Sequence, residues 1–287
     1  MLWSVVIVSW NVRADLEECL NSLQALSTET PLNVIIIDNG SVDGSILLKD
    51  KFPSFKWILN KDNRGFAAGN NQAREFINTP YVLFLNPDTI LTENIFPVLS
   101  NFFSTHSKAG IVGPKILNPD GAYQRSARRF PKIWHILFEL IKGANIYPKL
   151  LKKYYGWDLL PDKIQMVDQV MGSALAIKKE VLDKIGWWDE KYFLWFDEVD
   201  LCYRVKYAGY EVWYAPTVSL THKGGASFWQ WHALKRQIQF AKSASRYFSK
   251  NISPLKGWLI WLASPLWLCA GLILSIILLF NFKRKYR

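Results

Sequence analysis

The chain has 287 residues, half of them hydrophobic, which allows one large domain with an appendage and a sizeable core. The 35 Lys and Arg against 24 Asp and Glu give a net charge of +11, which favours anionic partners: phosphorylated substrates, anionic lipid or nucleic acid. Cys19, Cys202 and Cys269 lack CxxC or zinc-ligand spacing, so they read as thiols of a reduced, cytosol-facing domain.

The chain opens directly on a β-branched apolar run, residues 4–9, with no signal-peptide pattern before it. Helical spacing of Leu16, Leu20 and Leu23 follows over residues 14–26. Buried strands are predicted at 34–38, 56–60 and 81–86, with a helix over 66–77. Strands separated by helices imply βαβ units, and continuously apolar strands imply a mostly parallel sheet covered on both faces. Ligands bind such sheets at the carboxyl ends of the strands. Asn11, Asp38, Asn63 and Asp88 stand at those ends, so polar side chains converge on one edge. Residues 124–153 differ, with Arg125, Arg128, Arg129, Lys132, Lys142, Lys149, Lys152 and Lys153 against one acid, Glu139. A strand over 169–178, a helix over 198–208, a strand over 212–215 and a helix over 228–249 are predicted beyond them. Many of the 14 tryptophans lie in the last hundred residues, a composition that suits interfaces with one wet and one apolar side.

No charged side chain occurs over residues 257–282, a stretch of about 26 residues that could cross a hydrocarbon core of roughly 30 Å. Ser264-Pro265 interrupts it and leaves residues 266–280, roughly 22 Å of helix, which is short for a span. A single span would send Lys283, Arg284, Lys285 and Arg287 outward, against the positive-inside preference. A monotopic or re-entrant anchor, with the basic tail on the cytosolic face against anionic lipid, is therefore favoured over one straight span.

Individually, these residues have ordinary readings beside chemical ones. Asp88 in Asn86-Pro87-Asp88 is either a helix-capping turn or a metal-holding carboxylate at the sheet edge. Asp38 is either an Asx turn or an acceptor for a base imide N–H. Asp197, Glu198 and Asp200 are an acidic first helical turn, a set of mutually pKa-raising carboxylates suited to general-base work, or both. Arg125, Arg128 and Arg129 are either a solvated basic face or a phosphate grip.

Five segments in fixed order settle between these readings. Residues 4–11 read SVVIVSWN, 38–45 DNGSVDGS, 63–71 NRGFAAGNN, 83–89 LFLNPDT and 186–204 GWWDEKYFLWFDEVDLCYR. Together they resemble the family 2 glycosyltransferases of GT-A fold, and within them the rhamnosyltransferase-like branch that builds bacterial surface polysaccharides. His222 in LTHKGGAS is a sixth match. The resemblance covers roughly residues 3–250. It implies an α/β GT-A fold, a mixed and mostly parallel sheet flanked by helices. The domain would span residues 1–250, with a donor half to about 118 and an acceptor half beyond, followed by a membrane-anchoring segment, 251–287.

The resemblance also assigns roles. Ser9, Asn11, Asp38, Asn63, Arg64, Asn70, Asn86 and Asp88 match donor-binding positions. Asp88 and His222 match the ligands of a divalent metal, Mn2+ or Mg2+, although Asn86 replaces the first acid of the family's DxD motif. Glu198 matches the general base, with Asp197 and Asp200 beside it; the order Asp197-Glu198 departs from the Glu-Asp of many relatives and leaves Asp197 as a second candidate. Independently of the resemblance, the guanidinium forks of Arg125, Arg128 and Arg129 match phosphate oxygens and would hold phosphate of the donor or of a lipid-pyrophosphate acceptor.

The implied function is inverting transfer of a sugar, rhamnose by resemblance, from a nucleoside-diphosphate donor to a lipid-linked saccharide. The implied location is a membrane with the catalytic domain in the cytoplasm, and no nucleic-acid partner. Two other classes compete. A nucleotidyltransferase would usually show a Gly-rich phosphate loop with Lys or Arg after the first strand, which is missing here. A membrane-tethered nucleic-acid-binding protein fits the charge but not the acidic sheet edge.

Overall fold

A computed structural model describes residues 1–225 and 230–265. Its elements are β1 (Trp3–Ser9), α1 (Arg13–Ser27), β2 (Leu32–Asp38), α2 (Leu48–Lys51), β3 (Lys56–Leu59), α3 (Phe66–Gln72), β4 (Tyr81–Leu85), β5 (Thr89–Ile90) and α4 (Phe96–Thr105). Then follow β6 (Ala109–Leu117), β7 (Tyr123–Gln124), β8 (Ala127–Arg128), α5 (Ile133–Leu140), β9 (Gln165–Met166), β10 (Gln169–Val170), β11 (Ala174–Lys178), α6 (Lys179–Ile185), α7 (Asp197–Tyr207), β12 (Glu211–His222) and α8 (Ala233–Asn251).

The main sheet runs β3-β2-β1-β4-β11-β6-β12-β5. Strands β3, β2, β1 and β4 are parallel, β11 is antiparallel to both its neighbours, and β6 and β12 are parallel to each other. Side chains of a strand alternate between faces, so the apolar runs of β1, β2 and β4 build two cores. Val5, Ile7, Val34, Ile36, Leu83 and Leu85 pack on the face covered by α1 and α4. Val6, Val8, Ile35, Ile37, Val82 and Phe84 pack on the face covered by α3, α6 and α7. A third cluster joins α5, α7 and α8 through Tyr192, Phe196, Tyr247 and Phe248.

The chain leaves β1 toward β2 and β3, then returns to β4 on the other side of β1. That reversal opens a crevice at the carboxyl ends of β1 and β4, where ligands bind open α/β sheets. Antiparallel β11 starts at this same edge: Ala174 pairs with Leu85, and Asn86 N–H donates to the Ser173 carbonyl at 2.9 Å. Strand β12 ends there too, with His222 opposite Thr89.

The predicted strand over 169–178 is two strands on different sheets, because Met171, Gly172 and Ser173 leave the ladder to line the crevice. The short strand expected over 212–215 continues to His222 past a register shift between Ala215 and Ser219. The expected helix over 66–77 ends at Gln72 and continues as a tighter turn over Arg74–Phe76. Of the apolar stretch 257–282, residues to 265 belong to a helix that begins at 254; residues 266–287 lie outside the described part. Among the described residues, no helix is long and apolar enough to cross a membrane.

Candidate active site

At the carboxyl ends of β1 and β2, register places Ser9 beside Asp38. Asp38 is 2% exposed; its Oδ1 accepts the Ser41 N–H at 2.9 Å. Its Oδ2 and the Ser9 Oγ are buried without a hydrogen-bond partner among the described residues. Buried polar atoms are ordinarily paired, so two orphans side by side mark a place where a ligand donates. Asn63 lines the crevice, and its Oδ1 accepts from the Gly65 N–H and from Asn39 Nδ2. Asn39, which sequence reasoning passed over, also donates to the Gly65 carbonyl and accepts from Asn60. Asp38 is not itself among the lining residues, and three further predicted donor residues also stand outside the crevice wall. Asn11, at φ 51°, accepts the Val42 N–H and shapes the following loop. Arg64 is exposed. Asn70 is buried and donates to the Phe66 carbonyl.

The opposite wall is made where β4 turns into β5. Pairing of Thr89 with His222, and the Lys223 N–H donated to the Asp88 carbonyl at 3.0 Å, bring Asp88 and His222 together. His222 Nε2 lies 3.3 Å from Asp88 Oδ1 and 3.4 Å from Asn86 Nδ2, and His222 Nδ1 lies 2.6 Å from Gln124 Oε1. Both side chains of the Asp88–His222 pair are 5% exposed. One carboxylate oxygen and one imidazole nitrogen facing the same point fit a divalent ion such as manganese. No third His, Cys, Asp or Glu completes the cluster among the described residues.

The third wall begins at α7. Trp195 and Phe196 both have left-handed φ, 63° and 65°, a conformation that costs non-glycine residues of order 1–3 kcal/mol each. Packing of Phe196 against Phe240 and Tyr247, at 5.5 and 5.6 Å between ring centres, offsets that strain. The strained turn aims the first residues of α7, Asp197 and Glu198, into the crevice. Gly172 faces them; a side chain there would meet Glu198 Cβ at 3.6 Å and the Phe66 ring at 3.7 Å. Asp197 accepts the Glu198 N–H at 3.2 Å, while its Oδ2 is buried with no partner among the described residues. Burial, and then the negative charge of Glu198, push the Asp197 carboxyl well above the ordinary carboxylate range. Two neighbouring carboxyls thus differ in exposure: a buried one whose anionic form is disfavoured by that burial, and a half-buried one open to the crevice.

Asp200, expected beside them, turns the other way. It is fully buried and takes Arg204 Nε at 2.7 Å, Lys250 Nζ at 2.8 Å and Asn251 Nδ2 at 2.8 Å, tying α7 to α8. Its place is in this network and outside the crevice wall. Removing one member of a buried ionic network leaves the others uncompensated, so Asp200→Ala is expected to lower unfolding free energy by about 3–5 kcal/mol. Denaturant unfolding measures this; unchanged stability with lost turnover would return Asp200 to the reaction.

The arginines expected to grip phosphate have protein contacts instead, although Arg128 Nε is buried without a hydrogen-bond partner among the described residues. Arg129 pairs with Asp158 at 3.0 Å. Arg125 donates to the Gly156 carbonyl and lies over the Trp157 ring, and Arg128 lies over the Tyr155 ring. The three organise residues 154–158, and none lines the crevice. Arg128 also stands near Glu139, whose carboxyl burial pushes up to about 7 against the pull of that guanidinium.

The crevice encloses about 260 Å³. Its remaining wall is aromatic, with Trp10, Phe66, Phe193, Trp195 and Trp231. The tryptophan-rich composition hinted at such a surface without showing which rings form it.

Residues 4–164, more than half of the chain, match the sequence profile described as Glycosyl transferase family 2. The N-acetylglucosaminyl-diphospho-decaprenol L-rhamnosyltransferase of Mycobacterium tuberculosis is 28% identical over 230 residues, 76% of this chain and 75% of that protein. Rhamnosyltransferase WbbL of Escherichia coli is 24% identical over 266 residues, 86% of this chain and 92% of that protein. The fold is shared with a mannosyltransferase of Pyrobaculum calidifontis, PcManGT, solved with GDP-Man and Mn2+, at a TM-score of 0.57 and 15% identity, covering 95% of this chain and 73% of that one. It is likewise shared with Staphylococcus aureus TarS 1–349 in complex with UDP-GlcNAc, at a TM-score of 0.55 and 14% identity, covering 89% of this chain and 69% of that one. With this mixed α/β, GT-A-like sheet and rhamnosyltransferases among its relatives, the chain belongs to glycosyl transferase family 2.

Proposed function

We propose that the chain transfers a sugar, rhamnose foremost, from a nucleoside-diphosphate donor to a lipid-linked saccharide with inversion at the anomeric carbon. The observation that carries this reading is a single crevice with Asp88 and His222 on one wall and Glu198 on another. Ser9 Oγ and Asp38 Oδ2, both buried acceptors, suit the imide N–H of a uracil or thymine base. Asp88 and His222 would hold a divalent ion, which neutralises charge on the departing diphosphate. With two protein ligands in place among the described residues, donor phosphates and water would fill the rest of its shell. Glu198 takes the proton of the acceptor hydroxyl as that oxygen bonds to the anomeric carbon and the sugar–phosphate bond breaks. One displacement on one face inverts the configuration. Two named complexes of the same fold, one with GDP-Man and Mn2+ and one with UDP-GlcNAc, support the donor class, and the name of the mycobacterial relative supports the acceptor.

The acceptor's lipid calls for a membrane, and the catalytic crevice belongs on the cytosolic side, where nucleotide-sugars are made. The helix from residue 254 exposes Leu255, Trp258, Leu259, Trp261 and Leu262, an apolar and aromatic surface suited to a lipid interface. It leads into the uncharged sequence up to residue 282 and the basic tail. A monotopic or re-entrant anchor, with that tail returned to anionic headgroups, remains the preferred arrangement.

The donor class is tested by thermal unfolding with a panel of nucleoside-diphosphate sugars in the presence of manganese. Uridine or thymidine compounds should raise the unfolding temperature of the wild type and fail to do so in Asp38→Ala. Protection by guanosine or adenosine compounds alone would contradict the base assignment.

A further inference from the structure

Gln124 sits on β7, which folds back on β6 so that Gln124 opposes Ile116 and Tyr123 opposes Leu117. The connecting turn is closed by backbone bonds between Asn118 and residues 121 and 122. The backbone of Asn118 is held by that turn, and its side-chain Oδ1 accepts from Gln124 Nε2 at 2.8 Å. With its amide nitrogen committed to Asn118, Gln124 presents its oxygen to His222 Nδ1, 2.6 Å away. An oxygen acceptor at that distance requires the imidazole to carry its proton on Nδ1. A neutral ring then has a bare lone pair on Nε2, the nitrogen that faces Asp88 Oδ1 and Asn86 Nδ2. The amide N–H2 of Asn86, standing where the family usually has an acid, is a donor to that lone pair and favours the same tautomer.

We infer that Gln124 is a positioning residue that locks His222 as the Nδ1–H tautomer and aims its unprotonated Nε2 at Asp88. Without the lock, Nε2–H could donate to Asp88 Oδ1 at 3.3 Å, closing the pair against a cation. Ligand histidines commonly owe their tautomer to such an outer partner, whose loss weakens metal binding about 10- to 100-fold. The consequence for metal affinity rests on the metal reading proposed above, whereas the tautomer stands without it.

Nitrogen-15 NMR of the histidine side chains in the metal-free full chain reads the tautomer directly, with His222→Gln used to assign the signal. The expected result is a protonated Nδ1 and a bare Nε2 in the wild type, with that preference lost in Gln124→Leu and kept in Gln124→Glu. Calorimetry with Mn2+ alone should show about 10- to 100-fold weaker binding in Gln124→Leu and near wild-type binding in Gln124→Glu. A wild type protonated on Nε2 overturns the inference, as does a folded Gln124→Leu with unchanged tautomer and unchanged Mn2+ affinity. An Nδ1–H wild type that binds no Mn2+ upholds the tautomer lock and removes the metal reading instead.

Discussion

Glu198→Gln is expected to lower turnover by about 10²-fold or more while leaving donor binding nearly unchanged. The amide keeps the shape of the carboxylate but cannot take the acceptor's proton. Asp197→Asn is expected to cost much less. Asp197 is buried and its pKa is raised first by that burial, which disfavours its anionic form and makes a neutral amide a closer substitute there than at Glu198. Steady-state rates with donor titrations separate the two. An inactive Asp197→Asn beside an active Glu198→Gln would move the base to Asp197. The comparison is informative because the two carboxyls are adjacent in sequence yet differ in exposure, an outcome of the strained Trp195–Phe196 turn ahead of them.

Asp88→Ala is expected to abolish transfer and to erase manganese-dependent stabilisation by a nucleoside diphosphate. In the wild type, ligand at a hundredfold its Kd stabilises the fold by about 2.7 kcal/mol. For a domain of this size that is a rise in Tm of about 5–10 °C. The variant should show no such rise when manganese is added, because His222 alone offers a single ligand. Its unfolding temperature without ligand should stay near that of the wild type, which separates a lost site from a lost fold. Full turnover of Asp88→Ala in excess chelator would contradict the metal reading.

The sheet edge was legible in the sequence because its strands are short β-branched runs that end on polar residues. Asp38, Asp88, Glu198 and His222 could be named from local motifs; the last three line the crevice, and Asp38 pairs in register with the lining residue Ser9. Strand β6 was not legible. It contains Pro114, which a central strand usually excludes, and the sheet accommodates it opposite the register shift between Ala215 and Ser219 on β12. The split of 169–178 was hidden for a related reason: nothing in the local sequence shows that residues 171–173 leave the ladder to line the crevice. Gln124 lies in a region that reads as a basic cluster, and its value comes from a hairpin that places it against a histidine 98 residues away. Arg129 misled for the converse reason. Its charge looked available in sequence, and Asp158 satisfies it in space.

The anomeric configuration of the first product tests the account most directly. Glu198 and the Asp88–His222 pair all line one crevice; the proposed reaction is a single displacement with Glu198 as base and no covalent sugar–enzyme stage. Proton NMR coupling constants at the transferred sugar, recorded on product freshly made from a thymidine or uridine diphosphate sugar and a polyprenyl-diphosphate saccharide, report the configuration. The account predicts inversion relative to the donor. A retained configuration would contradict it.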